Sequence, residues 1–290
     1  MIIDIHDVGH GACSVVTLPN QRRFMIDCGR SDIWSPSQFY AGQHFDGLIF
    51  QNLDRDHLED LPNLRQSVPF GRYFSNPTID SFALGTMKKW DMAPGVASAW
   101  DLLRNYGTAN GGRIDMGPDS EELCMWHRYG TDFEETNNLS VAVFVRYGHF
   151  VMLYGGDMEE AGWRLMLQRP HFRNILPMVK VYVAAHHGRD NGCCEELFYY
   201  MQPSVVIISD YEHRFETQKT TAWYANRVLG IQDISGIQNA LIPRPIRKVL
   251  TTRRDGHMKI SARLNGGFHI QTEPSKPDYD LLEVIKALGA

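Results

Sequence analysis

The chain has 290 residues, 43% hydrophobic and 22% charged, with glycine and proline spread along it, which excludes a disordered, collagenous or low-complexity protein. A formal charge of −5 and a pI near 6.2 exclude the globally basic surface that dominates non-specific nucleic-acid binding. The longest apolar runs, such as Val205 to Ser209, fall far short of the ~20 residues a bilayer-spanning helix needs, so no membrane span is expected.

Met1-Ile-Ile-Asp-Ile-His6 carries no basic stretch, apolar core and cleavage site in succession, so the N-terminus reads as that of a cytoplasmic protein. Cys13, Cys28, Cys124, Cys193 and Cys194 form no CxxC pair, and their odd number argues for reduced thiols. Strands are expected at Ile2 to Asp7, Ala12 to Leu18 and Arg23 to Asp27, punctuated by Gly9, Gly11, Pro19-Asn20 and Gly29. Gly47 to Asn52 is a short apolar strand ending in the polar run Asn52-Leu-Asp-Arg-Asp-His57, the end at which open α/β sheets place their sites.

A mixed segment over about 60–136, broken by Pro77, Pro94, Gly111-Gly112 and Gly117-Pro118, reads as an insertion or cap with one helix near Val96 to Tyr106. Asn138 to Tyr147 and His149 to Tyr154 form a hairpin about Gly148. Gly155-Gly-Asp157 closes the second strand, and Met158 to Leu167 has helical periodicity. Lys180 to Ala185 is a buried strand ending in His186-His-Gly188, with a helix near Glu195 to Met201 and a strand at Ser204 to Ser209 after it. Hairpin-like strands are expected around Lys248 to Thr252, His257 to Leu264 and Phe268 to Thr272, then a terminal helix at 279–288. No repeat is present, and the pattern is that of one α/β domain over residues 1–290.

Four groups stand where a strand hands over to a loop: Asp56, His57, Asp157 and His186. A lone Asp-His pair is usually a solvated loop and a lone Gly-Gly-Asp a turn, but four such groups at consecutive strand ends point to a divalent metal. Imidazole with carboxylate suits zinc, manganese or iron. His187 is either a substrate-facing acid or a satisfied loop histidine. For His6 and His10 a packing role is favoured, although His10, in its glycine-bracketed loop, can approach the site.

In order along the chain, Asp7-Val-Gly-His-Gly11, Met25-Ile-Asp-Cys-Gly29, Asn52-Leu-Asp-Arg-Asp-His57, Leu153-Tyr-Gly-Gly-Asp157 and Ala185-His-His-Gly188 resemble the metallo-β-lactamase superfamily. Within it, the likeness is to the C-terminal hydrolase domain of the competence protein ComEC and its free-standing relatives. Asn137-Asn-Leu-Ser140 and Thr252-Arg-Arg-Asp-Gly256 match as well, so that about two thirds of the chain is covered. The resemblance implies an αββα sandwich with an insertion after the first metal motif. It implies that Asp56 and His57 bind one metal, that Asp157 binds or bridges, and that His186 completes the site. Asp54, with Asn52 and Asn138, is left for another metal; Asp54 and His187 are the expected catalytic groups. Asp27 is expected to orient the metal loop. The family pattern H-x-D-x-D-H-x-G-G reads N-x-D-x-D-H-x-E-D here, with Asn52 for a histidine and Glu59-Asp60 for glycines. An amide is a weak ligand, so one tightly bound ion, zinc or manganese, and a weaker second are expected.

The function implied is hydrolysis of a phosphodiester, in nucleic acid or a small nucleotide, by a metal-activated water. The alternative is a degenerate subunit that binds or regulates, with a protein partner. Hydrolysis of a lactam, lactone or thioester shares the fold without any pointer in this sequence. Near the end, Ser209 to Phe215 offers His213 or Arg214 as an anion contact. Arg244, Arg247, Lys248, Arg253 and Arg254 form the one basic concentration, more often a solvated face than a phosphate site.

Overall fold

Along Ile2–Ile5, buried Ile3 and Ile5 alternate with half-buried Ile2 and Asp4, the two-residue period of a strand with one face inward. The computed structural model describes residues 1–110, 116–211, 219–232 and 246–273. The expected terminal helix, together with His213, Arg214 and Arg244, lies outside them.

Six strands come first: β1 Ile2–Ile5, β2 Ser14–Thr17, β3 Arg23–Ile26, β4 Gly47–Ile49, β5 Tyr73–Phe74 and β6 Ala109–Asn110. Next come β7 Ser120–Met125, β8 Ala142–Tyr147, β9 Phe150–Tyr154, β10 Val179–Val183 and β11 Val205–Ile208. After a small pair, β12 Ile231–Gln232 and β13 Ile246–Arg247, come β14 Val249–Thr251, β15 His257–Ala262 and β16 Phe268–Glu273. One sheet runs β16-β15-β1-β2-β3-β4-β5-β6, and the other β14-β11-β10-β9-β8-β7. The β8–β9 hairpin forms as expected, Val143 opposite Tyr154 and Tyr147 opposite Phe150, with Gly148 at a φ of 58° in its turn.

Strands of the second sheet are apolar on both faces because both faces are covered. On β11, Val205 and Ile207 point between the sheets, where Ile3, Val16, Phe24 and Ile26 of the first sheet meet them. Val206 and Ile208 point outward onto Trp163, Met166, Phe172 and Tyr224 of helices Glu160–Met166, Pro170–Ile175 and Thr221–Ala225. The outer face of the first sheet, with Val15, Met25 and Leu48, is covered by Leu61, Leu64, Leu84, Ala99 and Leu103. These come from helices Leu61–Ser67, Ser81–Met87 and Pro94–Tyr106. The order of layers is helix, sheet, sheet, helix: an α/β protein built as an αββα sandwich.

The 60–136 segment, read from sequence as an insertion or cap, supplies those three helices, β5 and β6 at the edge of one sheet and β7 at the edge of the other. Two expectations about the later chain change. Val249–Thr251 pairs in parallel with β11 and not in a hairpin with β15, burying Leu250 between the sheets. Glu195–Tyr199 is a 3₁₀ segment in place of the helix expected there. Among the described residues no helix is long and apolar enough to cross a membrane.

β3 and β4 of one sheet run parallel to each other, as do β9, β10, β11 and β14 of the other. Their C-terminal ends therefore carry the loops that hold Asp27, Asp54 to His57, Asp157, His186-His187 and Ser209.

Candidate metal centre

After β4 the chain reaches Asp54, which precedes a single helical turn, Arg55–Leu58, carrying Asp56 and His57. The sharp bend is gripped from behind. The Asp56 carbonyl lies so close to Gly11 and Gly29 that a Cβ at either would stand 2.5 Å from that oxygen. The backbone N–H of Cys28 donates to the His57 carbonyl at 2.8 Å, and that of Asp60 to the Cys28 carbonyl at 3.0 Å. Asp27, at a φ of 57°, accepts from the Gln51 N–H through Oδ1 and meets His57 Nδ1 through Oδ2, both at 2.7 Å. From the other sheet, the Asp157 N–H donates to Ser140 Oγ at 3.0 Å, and the His186 N–H to the Gly156 carbonyl at 2.8 Å.

One ligand atom from each of Asp56, His57, Asp157 and His187 lies within 4.8 Å of the other three. His57 Nε2 is 2.9 Å from Asp157 Oδ1, and His187 Nε2 is 3.2 Å from Asp56 Oδ2 and 3.5 Å from Asp157 Oδ1. Donors bonded tetrahedrally to zinc at ~2.1 Å stand roughly 3.4 Å apart, so the spacing fits an ion at the centre. The tautomers fit too. His187 Nδ1 donates to the Ser209 carbonyl at 2.8 Å and His57 Nδ1 to Asp27, which turns both Nε2 lone pairs toward the carboxylates. Lone pairs facing lone pairs in a buried cluster require a cation, either protons or a metal.

The electrostatics express the same requirement. Burial works against charge on His57, yet Asp157 and Asp27 raise its pKa well above the ordinary histidine value. Burial likewise opposes charge on His187, and Asp157 and Asp56 override it and raise its pKa. Burial would raise the two acids, but the facing imidazoles hold Asp56 and Asp157 below the usual carboxylate range. His10 Nε2 is 3.5 Å from Asp56 Oδ2, and its ring packs 4.6 Å from that of His187. Burial and His187 depress its pKa to about 4, so it is neutral at pH 7. The glycines bracketing His10 were the signal that it could reach the site.

Asp56, His57 and Asp157 come together as the sequence placed them, and the fourth member of the group is His187. His186, expected as a ligand, stands outside it: its Nδ1 is 3.6 Å from Glu159 Oε1 and its Nε2 accepts from Arg189 at 3.2 Å. Both histidines have a φ of 52°, and two consecutive left-handed residues turn the side chains to different neighbours. Asp54 faces elsewhere as well, accepting from Thr136 Oγ1 at 2.6 Å and Asn52 Nδ2 at 3.2 Å and pairing with the Lys88 ammonium. Asn138 Oδ1 accepts from the Glu159 and Gly162 N–H groups, a backbone role. Lys88, from the mixed segment, carried no sequence signal. In the basic concentration, Arg247 pairs with Asp255 and Arg253 with Asp210, each at 2.7 Å.

No family model matches this chain, and no curated protein matches it. Solved structures do. The metallo-beta-lactamase fold protein YhfI from Bacillus subtilis aligns over 89% of this chain and 100% of its own, with 9% identity and a TM-score of 0.47. A diphosphatase from the PhnP family aligns over 91% and 99%, with 9% identity and a TM-score of 0.45. CmlA, a diiron beta-hydroxylase from Streptomyces venezuelae, aligns over 77% of this chain and 50% of its own, with 13% identity and a TM-score of 0.44.

Proposed function

We propose that this chain is a metal-dependent hydrolase of the metallo-β-lactamase kind that cleaves a phosphodiester. The observation that supports it is the convergence of two imidazole nitrogens and two carboxylate oxygens on one point, with Asp27 and the Ser209 carbonyl fixing both histidine tautomers. Zinc or manganese matches that donor set. Such an ion, when bound, acidifies water and polarises a phosphoryl oxygen.

The side chains have separable tasks. Asp56, His57, Asp157 and His187 hold the ion, Asp27 orients His57, and the Ser209 carbonyl orients His187. His10, neutral at pH 7, closes one side of the cluster against His187. With an overall charge of −5, a small nucleotide or a strand end fits better than a long duplex, which calls for an extended basic surface.

Elemental analysis of dialysed protein and hydrolysis of bis(p-nitrophenyl) phosphate test the reading together. About one ion per chain and a rate that EDTA abolishes and zinc or manganese restores are expected. The competing reading, a subunit that binds without catalysis, draws on Asn52 and on the occupation of Asp54 by Lys88. Protein that holds its metal and cleaves no phosphodiester would decide for it.

A further inference from the structure

Two carboxylates lie two residues apart at the turn Arg55–Leu58, and each has its own cationic counterpart. Asp56 belongs to the four-ligand cluster. Asp54, which caps the same turn, is paired with the Lys88 ammonium and also accepts from Thr136 Oγ1 at 2.6 Å and Asn52 Nδ2 at 3.2 Å. Lys88 donates to Thr136 Oγ1 at 3.2 Å as well, so the ammonium is held between two oxygens.

Lys88 ends the helix Ser81–Met87, and that end is fixed. Trp90 folds back on the helix so closely that a Cβ at Gly85 would stand 2.5 Å from its ring. The Lys88 side chain keeps 18% of its surface and that of Asp54 26%, so the pair is not sealed from solvent. Beside it, Asn52 is buried, its Nδ2 is 3.5 Å from Asn137 Oδ1, and its own Oδ1 has no hydrogen-bond donor. An unmet buried acceptor is costly, and a donor brought by water or a ligand would satisfy it.

Among the groups facing the cluster's centre, Asp56 and Asp157 with two neutral imidazoles match one divalent ion, Asp27 adds a carboxylate behind His57, and Asp54 is already paired with Lys88. A second ion at Asp54 would have to expel the ammonium and would find a single carboxylate and amide or hydroxyl oxygens, poor ligands for a transition metal.

We propose that Lys88 is the second cation of this centre: its ammonium takes the place beside Asp54, limits the chain to one metal ion, and binds a phosphoryl oxygen of the substrate. The substrate half rests on the phosphodiester reading above; the metal-count half does not. As a positive charge paired with Asp54 at the head of the turn that carries Asp56 and His57, Lys88 would stabilise charge on a phosphoryl group that reaches it.

Elemental analysis after equilibration with zinc or manganese tests the first half without any substrate. Wild type, Asn52→His and Lys88→Met each hold one ion, and Asn52→His/Lys88→Met holds two, since imidazole ligates strongly once the ammonium is gone. Two ions in Asn52→His alone, or one in the double variant, overturns it. For the second half, Lys88→Met keeps its metal and loses about 100-fold in kcat/KM on bis(p-nitrophenyl) phosphate, and Lys88→Arg, which keeps the charge, recovers part of that loss. A full rate in Lys88→Met overturns the substrate role. If wild type cleaves no phosphodiester at all, the functional reading and the substrate role fall together, while the metal counts still decide the lysine's place.

Discussion

His57 and Asp27 share a 2.7 Å hydrogen bond where neither side chain reaches solvent, and the same imidazole turns its other nitrogen to Asp157 at 2.9 Å. Asp27 thus sets the ring of a proposed metal ligand from the side away from the cluster. Asp27→Asn keeps an acceptor for the Gln51 N–H and tolerates the left-handed backbone, but gives up the charge facing the imidazole. Metal affinity should fall by about 10- to 100-fold, read by competition with a chelating dye. Unchanged affinity would show that the ring is held by packing alone.

Three single substitutions separate the two neighbouring histidines. Asp157→Asn and His187→Ala should each lose the bound ion, and His186→Ala should keep it, because His186 faces Glu159 and Arg189. Circular dichroism with elemental analysis on the same samples reads this. Loss of metal from the folded His186 variant would return that residue to the ligand set.

The grip behind the metal loop can be loosened from a distance. Gly11→Ala puts a methyl group 2.5 Å from the Asp56 carbonyl, backbone against backbone, with nothing flexible to give way. The variant should lose about 1–3 kcal/mol in urea unfolding and bind metal more weakly. Full stability with full affinity would mean that the loop can shift without consequence.

Away from the site, His6 couples stability to pH. It is buried, stacked on Trp34 at 4.2 Å, and 2.8 Å from the Tyr40 hydroxyl; burial, with His257 and Lys259 adding to it, lowers its pKa to about 3. In the unfolded chain it titrates near 6.5. Above that value both states are neutral and His6 contributes no pH dependence. As pH falls from about 6.5 toward 3, only the unfolded state takes the proton, and stability drops by up to about 1.4 kcal/mol per pH unit. Chemical melts of metal-free wild type and His6→Gln at several pH values isolate this contribution, and the variant should show the shallower acid loss. Parallel curves would sink the assignment.

Much of this was legible in the sequence because short apolar strands that end in polar or glycine-marked turns report where side chains gather. Asp56, His57 and Asp157 were placed that way, and so was the hairpin about Gly148. That His187 and not His186 joins the cluster was not legible, since it turns on two consecutive left-handed residues that leave no trace in composition. Nor was Lys88, which reaches Asp54 across 34 positions from a segment without a clear period. The parallel pairing of Val249–Thr251 with β11 was missed for a related reason: a three-residue apolar run does not state its partner.

The four-ligand cluster draws Asp56 and His57 from one sheet and Asp157 and His187 from the other. An ion there is a rivet through the seam of the sandwich. Neither sheet alone carries all four groups, so tight metal uptake is expected only once the two sheets have docked. Once in place, the ion resists sliding of the two layers past each other, and withdrawing it should quicken amide exchange along the facing strands before it unfolds either sheet.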